Sequence, residues 1–479
     1  MKFQPFISFS GLSFHRRNVI IKENEGESYM SNASRVYELF ESQKDFYENT
    51  VSEGIERNRK GDGKITVRGS DGKPIRNARI RLTQKNHEFR FGANLFMLEE
   101  LETEEKNERY KECFAELFNM ATLPFYWRDL EPERGKQRYG KDSPKIYRRP
   151  ATDLCIEFCE KHGIEPREHA LAYEQMFPEW LRGESTEVVK RELERRYAEI
   201  AERYRERIPT IEITNEMIGW WDRGVTDFYN DPDYIPYCFK LAEKYFPNNE
   251  LCINEATRFC WTDWCSIRSA YFSYIENAIL KGARIDAVGM QYHIFHDQYS
   301  EDYYKLLDLK GLYRHMELFA KFGKPLEITE ITIPSYSREA EDEKLQADIL
   351  ERLYSLWFSH PSVKQIVYWN VVDGYAHLWT QDREAIKASQ GDMTLGENTY
   401  HGGLLRFDMS PKPAYYRLKK LLFERWHTDA EALTNAHGEA AFRGFYGEYE
   451  LEIEADGRLY KKSLSLSKGA ENLFEIELN

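Results

Sequence analysis

The chain has 479 residues and a mass of 56.9 kDa, longer than a typical single domain and long enough for a large core with extensions. Its 67 basic and 81 acidic side chains give a net charge of −14, which argues against a nucleic-acid partner. The sequence has no run of about 18 apolar residues, so it predicts no membrane span. Aromatic residues make up 14% of the chain, which fits a large aromatic core, stacking surfaces for sugar rings, or both.

Residues 1–60 are predicted to be an extension of the main domain. Residues 1–32 lack hydrophobic periodicity and the apolar core of a signal peptide, and Met30 is an alternative start. Residues 34–58 carry apolar side chains at helical spacing, which predicts an amphipathic helix. Residues 61–87 contain two short alternating runs separated by a turn signal, which predicts a small β-hairpin.

The cysteines indicate the redox environment. Their number, seven, is odd, and none shows zinc-ligand spacing with a matching second pair. Cys155 and Cys159 lie one helical turn apart in a stretch with helical periodicity. We therefore expect free thiols in the core, a reducing compartment and a cytoplasmic location.

Residues 88–427 alternate short apolar runs with long amphipathic stretches. Helical periodicity marks 184–207, 234–245, 265–281 and 344–359. The predicted strands are 88–94, 118–123, 165–172, 209–215, 250–254, 286–292, 325–329 and 365–370. Eight strand–helix units predict an α/β fold, a closed (β/α)8 TIM barrel with its site at the C-terminal ends of the strands.

Residues 428–479 differ in character from the barrel. They contain short alternating runs with a turn at Asp456-Gly457, which predicts a small all-β module. About 50 residues are too few for a large independent core, so we expect this module to dock on the barrel.

Two of the predicted strands end in carboxylates. The strand 209–215 ends in Asn215, with Glu216 next and an aromatic stretch, Gly219-Trp220-Trp221, close behind. The segment 323–330 is built the same way and ends in Glu330. A retaining glycosidase needs two carboxyl groups about 5–5.5 Å apart, one protonated and one ionised. Glu216 and Glu330 are therefore the predicted catalytic pair.

Most of the other strands also end in polar or aromatic side chains. Any one of these alone is more often a core or solvated residue, but six of eight strands bringing such groups to one rim predicts a site. The side chains at the remaining strand ends are His169, Asn254, Glu255, Gln291, His293, Trp369 and Asn370. His293 and His296 have no matching set of partners, so we predict neither a metal ion nor a cofactor.

These motifs resemble glycoside hydrolase family 10, the endo-β-1,4-xylanase family. The matching segments are Thr214–Glu216, Leu251–Glu255, Val288–His293, Ile328–Glu330 and Pro411–Tyr415, with Phe118-Asn119, Trp127 and Glu131–Gly135 resembling the second-strand region. The resemblance covers roughly residues 88–427. It implies that Glu216 is the acid/base and Glu330 the nucleophile. It also implies that Asn215 binds the sugar 2-hydroxyl and that His293 orients or tunes Glu330.

The chain departs from the family where the glycone sugars would bind. The family has a Glu-Asn-x-Met-Lys stretch before the second-strand tryptophan, but this chain has Leu123–Tyr126, without carboxylate, amide or lysine. The family's Arg-Gly-His-x-Leu-x-Trp-His becomes residues 167–174, which keep the histidine but end in Tyr173 and Glu174. The predicted substrate-binding residues are Asn215, His169, Tyr173, Glu174, Asn254, Gln291, His293 and Trp369.

These departures predict weak activity on long unsubstituted xylan relative to short or decorated oligosaccharides, because charge-assisted hydrogen bonds are lost. Alternatively, Arg128 or Glu174 contacts the same hydroxyls and the enzyme is an ordinary xylanase.

The sequence therefore predicts a retaining β-glycoside hydrolase that resembles endo-1,4-β-xylanases and acts on β-1,4-xylan or xylan-derived oligosaccharides. One alternative is a retaining β-glycosidase of other specificity, for β-glucan, β-mannan or a plant glycoside. A second is a non-catalytic carbohydrate-binding barrel, although such a protein gains nothing from two carboxylates in close repulsion. A purely structural role would leave the polar rim unexplained. The endo or exo mode and the oligomeric state stay open.

Overall fold

The structure is a computed structural model that describes residues 31–218, 225–231, 233–261, 269–380 and 382–479. Met30, the Gly219-Trp220-Trp221 stretch and Cys265 lie outside these ranges. The other six cysteines are buried and form no disulfide with one another: Cys113, Cys155, Cys159, Cys238, Cys252 and Cys260. None of the described helices is long and apolar enough to cross a bilayer.

The described residues form fifteen strands, fifteen α-helices and seven short π or 3-10 segments. The strands are β1 (Lys60–Gly69), β2 (Arg79–His87), β3 (Arg90–Asn94), β4 (Met120–Pro124), β5 (Glu165–His169), β6 (Thr210–Asn215), β7 (Glu250–Glu255), β8 (Ala287–His293), β9 (Leu326–Thr332), β10 (Val363–Tyr368), β11 (Asp429–Leu433), β12 (Glu439–Phe445), β13 (Gly447–Ala455), β14 (Arg458–Leu466) and β15 (Leu473–Leu478). The α-helices are Asn32–Ser42, Lys44–Phe46, Glu53–Arg59, Glu104–Leu117, Trp127–Leu130, Thr152–His162, Thr186–Tyr204, Tyr234–Tyr245, Thr257–Trp261, Ala270–Leu280, Glu301–Lys305, Leu309–Phe319, Ala340–Ser359, Arg383–Ala388 and Pro413–Lys420. Wider π-turns cover Tyr47–Ser52 and Leu421–Arg425, and single 3-10 turns occur at Glu174–Met176, Glu179–Leu181, Asp227–Asn230, Ala320–Phe322 and Gly396–Tyr400.

The predicted TIM barrel is confirmed. Eight parallel strands close into a barrel in the order β10-β3-β4-β5-β6-β7-β8-β9. Strands β6 and β9 are buried at every residue, because the barrel interior covers one face and the surrounding helices cover the other. The C-terminal ends of all eight strands meet at one rim.

Local signals set the ends of several barrel helices. The Ser185 hydroxyl accepts a hydrogen bond from the Val188 N–H where helix Thr186–Tyr204 begins, and Thr103 caps helix Glu104–Leu117 in the same way. Helix Thr152–His162 ends at Gly163, whose φ of 65° is the left-handed conformation that glycine adopts without steric penalty.

The predicted hairpin at 61–87 is wrong, and so is its separation from the C-terminal β module. Strand β1 pairs with β12 and β15, whereas β2 pairs with β11 and β13, so the two strands lie in different sheets. The three-stranded sheet β12-β1-β15 and the four-stranded sheet β11-β2-β13-β14 share one apolar core. Residues 60–87 and 429–478 therefore form a single two-sheet unit.

The N-terminal helices pack on the outside of the barrel. The Tyr37 hydroxyl donates to Asp348 (2.8 Å) and the Tyr47 hydroxyl to Ser355 (3.1 Å), both on helix Ala340–Ser359. The predicted helix over 34–58 is present but interrupted by the π-turn Tyr47–Ser52.

Candidate active site

Glu216 lies just beyond the end of β6 and is held by three neutral hydrogen-bond donors. The Tyr173 hydroxyl (2.9 Å) and the Gln175 side-chain amide (2.8 Å) both donate to Oε2. The Gln291 amide donates to Oε1 at 3.0 Å. These bonds fix the orientation of a carboxylate that stays partly exposed at the rim.

The backbone at Glu216 is strained. Its φ is 50°, in the left-handed region that a residue with a long side chain rarely adopts. The chain after it is held by Glu255, whose Oε2 accepts from the Ile218 N–H at 3.1 Å and whose Oε1 accepts from the Ala256 N–H at 2.8 Å. Glu255 is fully buried at the tip of β7, so it anchors the turn that carries Glu216.

Glu330 is buried within β9, at the same rim. His293 Nε2 lies 3.2 Å from its Oε2, and the Asn254 amide donates to its Oε1 at 3.2 Å. His293 Nδ1 lies 2.9 Å from the Thr332 hydroxyl. Thr332 can donate to Nδ1, which leaves Nε2–H to donate to Glu330.

A bridge of amides connects the two carboxylates. Gln291 donates to both Glu216 (3.0 Å) and the Asn215 side-chain oxygen (3.2 Å). Asn254 donates to both Asn215 (3.1 Å) and Glu330 (3.2 Å). Among the described residues the Asn215 amide nitrogen has no acceptor, so it is available to a substrate hydroxyl.

Burial and neighbouring charges perturb the ionisation of this pair. Burial raises the pKa of Glu330 to about 8, and the charges of Glu212 and Glu216 add to that rise. The charge of His169 acts in the opposite direction and lowers the pKa of Glu330. Burial lowers the pKa of His169 itself, but the Glu212 carboxylate outweighs burial, so the pKa of this histidine is raised. Burial lowers the pKa of His293 to about 4, so this ring is neutral beside Glu330.

An ion network lies directly beneath the carboxylates, inside the barrel. Arg167 contacts Glu212 (2.7 Å) and Glu327 (3.3 Å), and Glu327 also contacts Lys364 (2.9 Å). His169 Nδ1 lies 2.8 Å from Glu212, while its Nε2 is 3.9 Å from Glu330. The network supports the catalytic layer from below because buried charges require such partners.

An apolar wall borders the carboxylates. Its members are Phe96, Tyr126, Ala170, Tyr173, Met176 and Trp369. The Trp369 ring packs edge-on against His169 (5.5 Å) and His293 (6.1 Å). The Tyr126 hydroxyl lies 3.0 Å from His169 Nε2, so it supports the site instead of reaching outward.

The structure brings most of the predicted site residues together, but two of the predicted substrate-binding residues lie beneath the rim and contact other protein side chains. His169 and Asn254 are almost fully buried, and protein groups engage the His169 ring and the Asn254 amide. We therefore assign them to holding Glu330 and Glu212, not to contacting sugar. Glu174 begins the 3-10 turn Glu174–Met176, and its neighbour Gln175 supplies the bond to Glu216.

Sequence reasoning missed Gln175 and Glu212 as parts of the site, and it placed Glu255 at the rim without its contact to the chain that follows Glu216. Glu212 alternates with Ile211 and Ile213 along β6 and lies on the same face of the strand as Thr214. This alternation indicates that Glu212 points into the barrel. Gln175 gave no such signal, because it lies on an irregular turn. Within the described residues, no group of His, Cys, Asp or Glu side chains is arranged to hold a metal ion.

Comparison with known proteins agrees with this geometry. The sequence profile of glycosyl hydrolase family 10 matches residues 83–421. Endo-1,4-beta-xylanase B of Thermotoga neapolitana is 24% identical over 66% of this chain and 84% of its own length. Xylanase 10B of Thermotoga petrophila, solved with xylobiose, superposes with a TM-score of 0.55 at 22% identity, over 71% of this chain and 95% of that one, which supports the fold.

A different kind of relative covers more of the chain. Anti-sigma-I factor RsgI6 of Acetivibrio thermocellus is 27% identical over 88% of this chain and 49% of its own length. The chain thus spans about half the length of that relative.

Proposed function

The chain belongs to glycosyl hydrolase family 10, and from that premise we propose that it is a retaining β-glycosidase that cleaves β-1,4-xylan or xylan-derived oligosaccharides by double displacement. The observation that carries this proposal is the carboxylate pair Glu216 and Glu330 at one barrel rim, linked by hydrogen bonds through Gln291, Asn215 and Asn254.

In the first step Glu330 attacks the anomeric carbon and Glu216 protonates the departing glycosidic oxygen. The neutral His293 and the Asn254 amide donate to Glu330 and stabilise its ionised, nucleophilic form. Tyr173, Gln175 and Gln291 hold Glu216 where it can reach the leaving group. The free amide nitrogen of Asn215 is placed to bind a hydroxyl beside the reacting carbon.

In the second step Glu216, now ionised, removes a proton from water, and the resulting attack releases the sugar from Glu330. Both displacements invert the anomeric carbon, so the product keeps the β-configuration. The buried Arg167–Glu212–His169 network keeps a positive charge near Glu330 through this cycle.

A non-catalytic carbohydrate-binding barrel is the second candidate, because RsgI6, which matches 88% of this chain, is named an anti-sigma factor. The carboxylate pair favours catalysis. A binding protein has no need of two carboxylates whose charges oppose each other, one of them with its pKa raised to about 8.

Substitution of each carboxylate tests the proposal. Glu330→Ala removes the nucleophile, so hydrolysis of every substrate should fall by several orders of magnitude. Glu216→Ala should retain glycosylation by aryl xylobiosides with good leaving groups, and azide should restore turnover with formation of a β-glycosyl azide. The control is Glu448→Ala, an exposed glutamate on β13, which should leave the rates unchanged. If both site variants keep more than about a tenth of the wild-type rate, the assignment is wrong.

A further inference from the structure

Behind the apolar wall lies a second polar group of residues, here called the arginine recess. It is lined by Arg128, Asp129, Arg148, Arg149, His377 and Arg383, with Ile146, Tyr147 and Ile386. The space between these side chains is ≈ 10 Å³, room for one water or for one oxygen of a carboxylate whose other oxygen lies at the open edge. Arg383, whose side chain is 35% exposed, and the partly exposed His377 form its outer edge.

Positive charge in the recess exceeds negative charge. Arg128, Arg149 and Arg383 all pair with the single carboxylate of Asp129, at 3.2, 2.8 and 2.6 Å. Arg138 donates to the Asp129 carbonyl nearby. A chain with a net charge of −14 has therefore concentrated guanidinium groups at one place.

Arg148 adds a fifth guanidinium without an ion pair to any described carboxylate. It donates to the Asn370 side chain at 2.9 Å, and Asn370 in turn donates to Glu397. Glu397, beside Arg148, and Glu100, near Arg138 and Arg149, are two further carboxyl groups close to the five guanidinium groups, which still outnumber them. Arg148, Arg149 and Arg128 add to the effect of burial and lower the pKa of His377 to about 3, so this ring stays neutral in a positive field.

Two of the arginines have hydrogen-bonding capacity that the protein does not use. Arg148 is only 3% exposed, and its buried Nε has no hydrogen-bond partner among the described residues. Nη2 of Arg149 makes no hydrogen bond within the described part of the chain. An unsatisfied buried donor destabilises a protein, so Nε of Arg148 points to a ligand that supplies the missing acceptor.

The recess lies one aromatic layer from the catalytic carboxylates. The Arg149 guanidinium stacks 4.3 Å from the Tyr126 ring, and the Tyr126 hydroxyl contacts His169. Arg148 lies 5.9 Å from the ring of Phe96, which packs on Trp369 at 5.1 Å. This is the second-strand side of the rim, where the glycone is expected.

We propose that the arginine recess binds the carboxylate of a uronic-acid substituent on the glycone of a β-linked oligosaccharide. The inference rests on the proposed function and names its substrate class. A planar guanidinium matches a carboxylate with two parallel hydrogen bonds, and partial burial strengthens them. Such recognition replaces the carboxylate, amide and lysine that this chain lacks at Leu123–Tyr126.

A matched pair of substrates tests the proposal. One is xylotriose with glucuronic acid on its non-reducing xylose; the other is the same tetrasaccharide with the carboxyl reduced to an alcohol. We expect kcat/KM of the purified wild-type protein to be at least tenfold higher for the acid, because a charge-assisted hydrogen bond is lost with the reduced sugar. A neutral aryl xylobioside reports the basic hydrolytic reaction.

Two variants locate the effect. Arg383→Gln, at the outer edge, should bring the ratio of acid to reduced substrate toward one without changing the rate on the aryl xylobioside. Arg149→Gln should do the same, and if it does not fold, Arg383→Gln alone decides. The control is Arg207→Gln, which removes an arginine of equal exposure (36%) that pairs with Glu160 at 2.8 Å on another part of the surface. This control should keep the wild-type ratio.

The outcomes separate the inference from the proposed function. A wild-type ratio near one, with the aryl xylobioside cleaved, overturns the inference and leaves the function standing. The same ratio together with inhibition by sodium sulfate would mean an adventitious anion only, which also overturns it. If no substrate is cleaved, the proposed function fails and the inference fails with it.

Discussion

The charge of Glu330 depends strongly on the groups around it. It is buried near the carboxylates of Glu212 and Glu216, and the positive charges of His169 and Arg167 offset only part of their effect on its pKa. As the proposed nucleophile, Glu330 must be ionised to attack, so the environment that raises its pKa also limits the active fraction of the free enzyme at low pH.

The pH dependence of hydrolysis should show this directly. Because the pKa of Glu330 is raised from 4.5 to about 8, the protonated form prevails below pH 8 and cannot attack. We expect kcat/KM for an aryl xylobioside to increase about tenfold per pH unit on the acid side and to level off near pH 8. An acid limb centred near pH 4.5 would show that Glu330 is ionised throughout, against this account.

The sequence could predict the residues at the strand ends but not the partners beneath them. Glu216 and Glu330 follow apolar runs, and their position follows from the rule that parallel strands end at one rim. The Arg167–Glu212–Glu327 network joins three strands, β5, β6 and β9, that are far apart in sequence. Its pairing depends on the closure of the barrel, which no local pattern shows.

The turn after β6 is the element that sets the geometry of Glu216. Two backbone N–H groups beside it, those of Ile218 and Ala256, bind the buried Glu255 carboxylate. The turn is therefore fixed from the neighbouring strand β7.

Glu255→Gln should misplace the acid/base without unfolding the protein. The amide offers one acceptor oxygen where the carboxyl group offers two, so one of the two backbone N–H groups loses its partner at a cost of about 1–3 kcal/mol. We therefore expect kcat on a poor leaving group to fall about tenfold or more with little change in KM. The matched control is Glu243→Gln, which accepts the Arg284 N–H at 2.8 Å away from the site and should leave kcat intact. An unchanged kcat in Glu255→Gln would contradict the anchoring role.

Most elements follow from periodicity, and the errors lie in how strands pair. Helix Tyr234–Tyr245 has the predicted bounds, because its apolar spacing and ends are local properties. The runs that became β1 and β2 were recognised as strands, yet each pairs with strands more than 340 residues away, such as β12 and β11. The turn between these two runs predicts that they pair with each other, but both pair instead with strands from the C-terminal end of the chain.

At the scale of the whole molecule, the two-sheet unit ties the segment before the barrel to the segment after it. Leu82 on β2 pairs with Leu451 on β13, and both are fully buried. Phe445 on β12 packs on Phe358 at the base of the barrel (6.1 Å between ring centres), beside the buried Arg59, which stacks on Phe89 and Phe358. The unit therefore contributes to stability at the end opposite the site.

Leu451→Ala should destabilise the protein by about 2–5 kcal/mol without changing kcat, because it leaves a cavity in the shared core far from the carboxylates. Leu459→Ala on β14 is the control, since that side chain is 61% exposed and should change stability by about 0.5 kcal/mol or less. Denaturant unfolding followed by fluorescence measures both. Equal stability of the two variants would mean that the sheets do not share a core in solution.

Covalent trapping tests the central claim most directly. A 2-deoxy-2-fluoro-β-xylobioside with a dinitrophenyl leaving group slows both displacements but allows the first, so a retaining enzyme accumulates the glycosyl-enzyme. Mass spectrometry of the digested protein should find one fluoroxylobiosyl adduct, on Glu330 within Leu326–Thr332. Release of the leaving group without an adduct, or an adduct on another carboxylate, would contradict the assignment of Glu330 as nucleophile.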